Sequence, residues 1–279
     1  MEFDWYQATV MEPTDRFLQW ADATYSDCER TDRKGHNHYL HRADYAREGI
    51  LMLSVSHGGP NGFPNAKATS SAAPRFANAV RRAFPRCDQI RVTRVDSCQD
   101  FEGPGAFDLA HGAMKQLSEE RKIRTELVGD WDRAEFGRSY YLGSKESAFR
   151  AVLYEKGIES AKEIAAAGLP PRPNLCRLEG RLRPQYPEAK TTASTFTPLD
   201  VWAACRWGPA LVHRVLSLDI QRIKMSEYQV PEMTLSAYSM VRQYRRTVQH
   251  IIVQADHDES CVGKYLMDIA DSIEREHVP

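Results

Sequence analysis

Tyr154 stands in "RAVLYEKG" with Arg150 four residues before it and Lys156 two after. On an extended strand the phenol and both cations therefore point to one face. Two other segments bring carboxylates. In "TRVDSCQDF", Asp96 and Asp100 share a face with Cys98 between them. In "LCRLEGRLR", Glu179 shares a face with Arg177 and Arg181, while Leu178 and Leu182 take the other. If these strands are neighbours, one surface carries a tyrosine, two or three carboxylates and several cations. That mixture suits phosphate chemistry. Asp96, Asp100 and Glu179 could hold a hard divalent ion, Mg²⁺ or Mn²⁺; Mg²⁺ is typically bound through one or two carboxylates plus phosphate oxygens. A phenol with an ordinary pKa of about 10 is a weak nucleophile near neutral pH. Lys156, Arg150 and the metal would favour the phenolate and stabilise a pentavalent phosphate. The same spacing also fits plain ion pairs, Asp96 and Glu179 with Arg94 and Arg177, on a solvated sheet face. Tyr140 and Tyr141, in the hairpin "YYLGSKESAF", are competing nucleophiles.

"ILMLSVSH" (50–57), "QIRVTRVDSCQDF" (89–101), a hairpin over 139–156 and "LCRLEGRLR" (175–183) are strands. "GGPNGFPNAKATSSAAP" (58–74) is rich in Gly, Pro and Ser and reads as loop. "RFANAVRRAF" (75–84) is a helix with Phe76, Val80 and Phe84 on one stripe, stopped by Pro85. Residues 105–122 form a second amphipathic helix, and with strands at 89–101 and about 124–128 they also allow a βαβ unit. "TPLD" (197–200) is a capping-box start to a helix running to about Leu218, with a possible break at Gly208-Pro209. Further helices are expected at 234–252 and 260–276. Strands in hairpin-like succession followed by helices predict an α+β fold, with a largely antiparallel central sheet carrying the site and a mainly helical C-terminal third. The expected division is a sheet-based domain over 1–190, whose N-terminal part could form a subdomain of its own, and a helical region over 191–279. No internal repeat is visible.

Net charge is −1, which argues against a protein coated in basic surface. Arginines nevertheless cluster, with Arg177, Arg181 and Arg183 in one segment and Arg242, Arg245 and Arg246 in another. Local basic patches on a neutral whole suit a protein that grips a polyanion at one place. No apolar run reaches the ~18 residues of a membrane span, and no signal pattern opens the chain, so a cytoplasmic protein is expected. Six scattered cysteines without a CxxC pair read as free thiols. His36, His38 and His41 in "HNHYLH", with His57 further on, lack an acidic or cysteine partner at ligand spacing and read as an exposed loop. Trp202 and Trp207 read as core. No ATPase motif is present.

The ordered blocks "TRVDSCQDF", "YYLGSKESAFRAVLYEKG" and "LCRLEGRLR" resemble the replication initiation factor family, the rolling-circle initiators of plasmids and filamentous phages. That family carries an Arg-hydrophobic-Asp strand with Asp-Phe four residues on, a hairpin ending in Arg-x-Tyr-x-Lys, and an Arg-hydrophobic-Glu strand. The resemblance covers roughly residues 89–185. "DWYQAT" at 4–9 is loosely similar to the family's N-terminal strand. It implies a metal-dependent, site-specific DNA nickase of a phage, prophage or plasmid. Tyr154 would form a 5′-phosphotyrosyl intermediate and free a 3′-OH, and Asp96 and Glu179, with Asp100 as a third, would serve the metal. Val152 stands where the family often has an arginine two residues before the tyrosine, so Arg150 would substitute. The implied partners are origin DNA, a host helicase and a single-strand-binding protein. A relaxase for mobile-element transfer, and a DNA-binding module without chemistry, are the alternative readings.

Overall fold

The structure, a computed structural model, describes residues 1–86, 88–133, 136–223, 225, 240, 243–254, 262, 266 and 267. The chain divides into two compact units, Met1–Glu227 and Tyr228–Pro279. In the second, the described residues include a helix, Arg245–Gln254. Among the described residues no helix is long and apolar enough to cross a membrane.

The first unit is α+β. Its elements are β1 (Glu2–Val10), α1 (Thr14–Thr24), β2 (Glu29–Lys34), β3 (His41–Arg47), β4 (Ile50–His57), β5 (Asn65–Thr69) and α2 (Ala72–Ala83). There follow β6 (Ile90–Glu102), α3 (Ala106–Arg121), β7 (Thr125–Gly129), β8 (Arg138–Leu142), β9 (Phe149–Tyr154), α4 (Lys156–Glu159), α5 (Ala161–Ala166) and β10 (Leu175–Leu182). Helices α6 (Pro187–Ala193), α7 (Pro198–Ala203) and α8 (Gly208–Leu216) complete it. The strands form one antiparallel sheet in the order β2-β3-β4-β5-β1-β6-β10-β9-β8-β7. The three strands bearing the tyrosine and carboxylates are adjacent, as β6-β10-β9, which meets the condition for a shared surface.

That order reads alike from either edge. The run β1-α1-β2-β3-β4-β5 and the run β6-α3-β7-β8-β9-β10 have the same connectivity, and β1 and β6 lie antiparallel along the junction. Strands β6 and β7 point the same way with α3 as their crossover, so the βαβ unit exists, spread over three intervening strands. The repeat is one of topology. It leaves no trace in the sequence because strand pairing is satisfied by backbone, whichever side chains the strands carry.

Helices α2, α3, α6 and α7 pack on one face of the sheet. The alternating apolar residues of the strands meet them there, with Leu153, Leu178 and Trp202 wholly buried. Trp207 packs against this core as expected. At the start of α7, Thr197 Oγ1 accepts from the Asp200 amide at 3.3 Å while Asp200 Oδ2 accepts from the Thr197 amide at 2.8 Å, the expected capping box. Gly208 and Pro209 do divide the helical run, opening α8. The loop expected over 58–74 is only partly one, and its last residues, from Ala72, open α2. Residues Asn65–Thr69 lie within the expected loop yet form β5, because β1 and β4 each pair with it and Ala66 and Ala68 are small enough to bury. Tertiary pairing overrides weak strand propensity here. Cys28, Cys98, Cys176 and Cys205, the cysteines among the described residues, are free.

Candidate active site

The face of the sheet opposite the helices is polar, and at the middle of the C-terminal half it sinks into a cleft of about 540 Å³. Strand pairing builds the cleft. Arg177 on β10 stands directly opposite Tyr154 on β9 and opposite Asp100 on β6. Glu179, two residues on, shares the face and lies diagonally from Tyr154, roughly 7 Å between backbones. Arg181 is opposite Asp96. Tyr154, Lys156, Arg177, Glu179 and Arg181 all line the cleft.

Two further lining residues, Asp4 and Trp5, come from β1. Adjacent strand residues ordinarily face opposite ways. The β1–β6 register slips between Phe3 and Trp5, so Asp4 is the extra residue of a bulge and joins Trp5 on the site face while Phe3 stays in the core. The sequence reading missed Asp4 as a site residue, and alternation alone assigns it to the wrong face. The weak likeness around residues 4–9 was the one signal that could have raised it.

The carboxylates are already engaged by arginines. Arg177 donates through Nε and Nη2 to the two oxygens of Asp100 at 2.6 and 2.9 Å, and through Nη1 to Asp4 Oδ1 at 2.8 Å. Arg94 grips Asp96, with Nε at 3.1 and 3.0 Å from its oxygens and Nη2 bonded as well. Arg181 Nε donates to Glu179 Oε1 at 2.7 Å. Ion pairing was foreseen for Asp96 with Arg94, whereas Glu179 takes Arg181 in place of Arg177. The pairs are not solvated, since Asp96 is 1% and Glu179 3% exposed. Both oxygens of Asp96 and of Asp100 are occupied, while, among the described residues, Asp4 and Glu179 each have a hydrogen bond to one oxygen only. Among the described residues no group of three or more His, Cys, Asp and Glu side chains is arranged to hold an ion.

Burial dominates the electrostatics. It pushes the Tyr154 hydroxyl well above its ordinary pKa, and Glu179 adds to the rise. Ionising this phenol is therefore harder than ionising an exposed tyrosine, and a cation or base must act on it. Burial, then Glu179, likewise raises Asp4. Asp96 is pushed up to about 7 by burial, which outweighs the opposing pull of Arg94.

No family model and no curated protein matches the sequence. A solved structure, that of the rolling circle replication initiator protein from Geobacillus stearothermophilus, is similar over 79% of this chain and 98% of its own, with 13% identity and a TM-score of 0.49. A likeness at that level carries no functional argument, so function rests on the cleft's own residues.

Of the other candidates among the described residues, Lys156 and Tyr141 lie in the cleft lining and the rest do not. Arg150 shares the face of Tyr154 but is not among the lining residues; its guanidinium lies 3.9 Å from the Tyr141 ring centre and pairs with Glu126. Lys156 Nζ lies 5.8 Å from the centre of the Tyr154 ring and 2.7 Å from Glu159. Arg183 follows the end of β10, exposed and outside the lining. Of the two hairpin tyrosines, Tyr140 is buried on the helix side while Tyr141 lines the cleft. Arg245 and Arg246 are exposed on the helix of the second unit, and Arg242 lies outside the described residues. His36 and His38 are exposed, but His41 opens β3 and meets His57 across the β3–β4 pair with ring centres 5.2 Å apart.

Proposed function

We propose that the cleft is the active site of a site-specific DNA nickase and rejoining enzyme of the rolling-circle initiator type. The observation that carries this reading is the direct pairing of Tyr154 with Arg177, with Glu179 and Asp4 on the same face, in a cleft wide enough for a backbone phosphate. The sequence resemblance supports the same assignment. Arg177 and Lys156 are the cations placed to receive the phosphate. Glu179, diagonal to Tyr154 on the same face, is the carboxylate proposed to take its proton. In the reaction Tyr154 Oη bonds to phosphorus, the bond from phosphorus to the 3′ oxygen breaks, and that oxygen leaves with a proton as a free 3′-OH. The new phosphotyrosyl ester keeps the energy of the phosphodiester, so attack by a 3′-OH reseals the strand and restores the phenol.

Asp4 and Glu179, with their unengaged oxygens, fit a Mg²⁺ or Mn²⁺ ion held by two carboxylates and water. Asp96 and Asp100 would join it only on leaving Arg94 and Arg177. When bound, the ion would stabilise phenolate and the charge developing on phosphate. Origin DNA is the proposed substrate, with helicase and single-strand-binding protein supplied by the host. The arginine pairing of Asp96 and Asp100 favours a second reading, a DNA-binding module without chemistry. One experiment separates the two: incubation with supercoiled plasmid carrying the cognate origin, followed by a denaturing gel. Nicked plasmid and a protein–DNA adduct, both lost in Tyr154→Phe, support the nickase. Binding without nicking or adduct supports the module. Nicking that persists in Tyr154→Phe and vanishes in Tyr141→Phe moves the nucleophile to Tyr141.

A further inference from the structure

The near-symmetry of the sheet gives the cleft a counterpart in the N-terminal half. Exchanging β1 with β6 and β5 with β10 carries the pair Gln7–Lys67 onto Asp96–Arg181, and the pair Thr9–Asn65 onto Cys98–Glu179. The register slips correspond too, Asp4 being the extra residue on β1 and Thr93 the extra one on β6. At the counterpart, a neutral amide thus replaces each of the buried acids Asp96 and Glu179, while the cation survives as Lys67. The cleft's charges nearly cancel. Those of the counterpart leave a net positive site.

The amides are held in place. Trp5 Nε1 donates to Gln7 Oε1 at 3.2 Å, Gln7 Nε2 to Asn65 Oδ1 at 2.7 Å, and Asn65 Nδ2 to Thr9 Oγ1 at 3.1 Å. This chain runs from the edge of the cleft across β1 and β5. Trp5 lies between two cations, with Lys67 Nζ 5.3 Å and the Arg94 guanidinium 3.9 Å from its ring. Lys67 is half-buried and, among the described residues, has no carboxylate partner; Arg91, opposite Thr9, has none there either and leaves its buried Nε without an acceptor among them. Cations without acids, beside a rigid amide ladder, lack an anion.

We infer that the β1–β5 face around Lys67 is a second, non-catalytic phosphate subsite, which holds the backbone of single-stranded DNA as it leaves the cleft. The inference rests on the nickase reading for its ligand. Four strand spacings separate Tyr154 on β9 from β5, roughly 19 Å, so only an oligonucleotide extending several nucleotides from the phosphate at Tyr154, beyond the Trp5 edge of the cleft, reaches Lys67.

The test is the salt dependence of oligonucleotide binding by fluorescence anisotropy, using the full chain with wild type, Lys67→Gln and Lys67→Arg. One probe spans only the part of the cleft around Tyr154 and a second extends past Trp5 along β1 and β5. Each phosphate contact on single strands contributes about 0.7 to the slope of log affinity against log salt, so Lys67→Gln should lower the slope by about 0.7 and weaken the long probe about fivefold at ~0.1 M salt. The short probe should be unaffected, and Lys67→Arg should restore the long-probe slope. Thermal melts confirm that both variants fold; should Lys67→Gln not fold, Lys67→Met read against Lys67→Arg makes the same comparison. If the wild type binds and nicks but the long-probe slope is the same in Lys67→Gln, the subsite is refuted while the nickase reading stands. If the wild type neither binds nor nicks, both fall.

Discussion

Gly180→Ala tests whether the core behind the cleft sets the position of Glu179 and Arg181. Gly180 lies between these residues on β10, facing the helices, where a Cβ would stand 3.0 Å from Phe149 Cζ and 3.1 Å from Trp202 Cδ2 and Cε2. Carbon atoms pack comfortably at about 3.5–4.0 Å, so ring or strand must yield by roughly half an ångström. The rings have little freedom. Trp202 is wholly buried and its Nε1 donates to Ser97 Oγ at 3.0 Å, while Phe149 is wedged edge-on against Trp202 and Trp207. Overpacking of this kind costs about 1–3 kcal/mol. For a unit of this size each kcal/mol lowers Tm by about 2–4 °C, so Gly180→Ala should melt roughly 2–12 °C below wild type. If β10 yields, the carboxylate and guanidinium on its other face move with it. A misplacement of about 1 Å costs on the order of a hundredfold in rate, so nicking should be slowed but not abolished. Calorimetry and the plasmid assay read the two effects. Phe149→Leu in the Gly180→Ala background should recover part of the lost Tm, since contacting residues are energetically coupled. A Gly180→Ala protein that melts and nicks like wild type would refute the reasoning.

Other predictions follow from the site. Asp4→Asn and Glu179→Gln should each suppress adduct formation to the level seen with excess chelator, with DNA binding mostly retained; cleavage that survives chelation sinks the metal assignment. Arg177→Lys cannot bridge Asp4 and Asp100 with a planar fork, so it should lose most adduct formation, a result read on the same gel. Burial raises Asp96 in the folded state to about 7, so between about pH 4 and 7 the native protein holds more protons than the unfolded chain and stability falls as pH rises. Asp96→Asn should flatten that fall in denaturant titrations across pH; an unchanged pH profile would assign the fall to other groups, Asp4 among them.

Local sequence carries a good part of this protein. Alternation places Asp96, Asp100, Glu179, Arg177 and Tyr154 on definable faces, and the Thr197–Asp200 cap, the α3 stripe and the Gly-Ser hairpin are short-range features that a few neighbouring residues specify. Tertiary structure decides what these faces meet. Asp4 reaches the site through a bulge, which depends on how β1 registers against β6 ninety-odd residues away. Arg150 turns to Tyr141 and Glu126, and Arg177 stands beside Tyr154 in the place expected of Arg150, because cross-strand partners are chosen by register rather than by spacing along one strand. His41 and His57 come together only through the β3–β4 pairing, and β5 is a strand only because two others flank it. Burial is likewise invisible locally, yet it is burial that raises the pKa of both Tyr154 and Asp96, since a charge loses its water only when the rest of the fold closes around it.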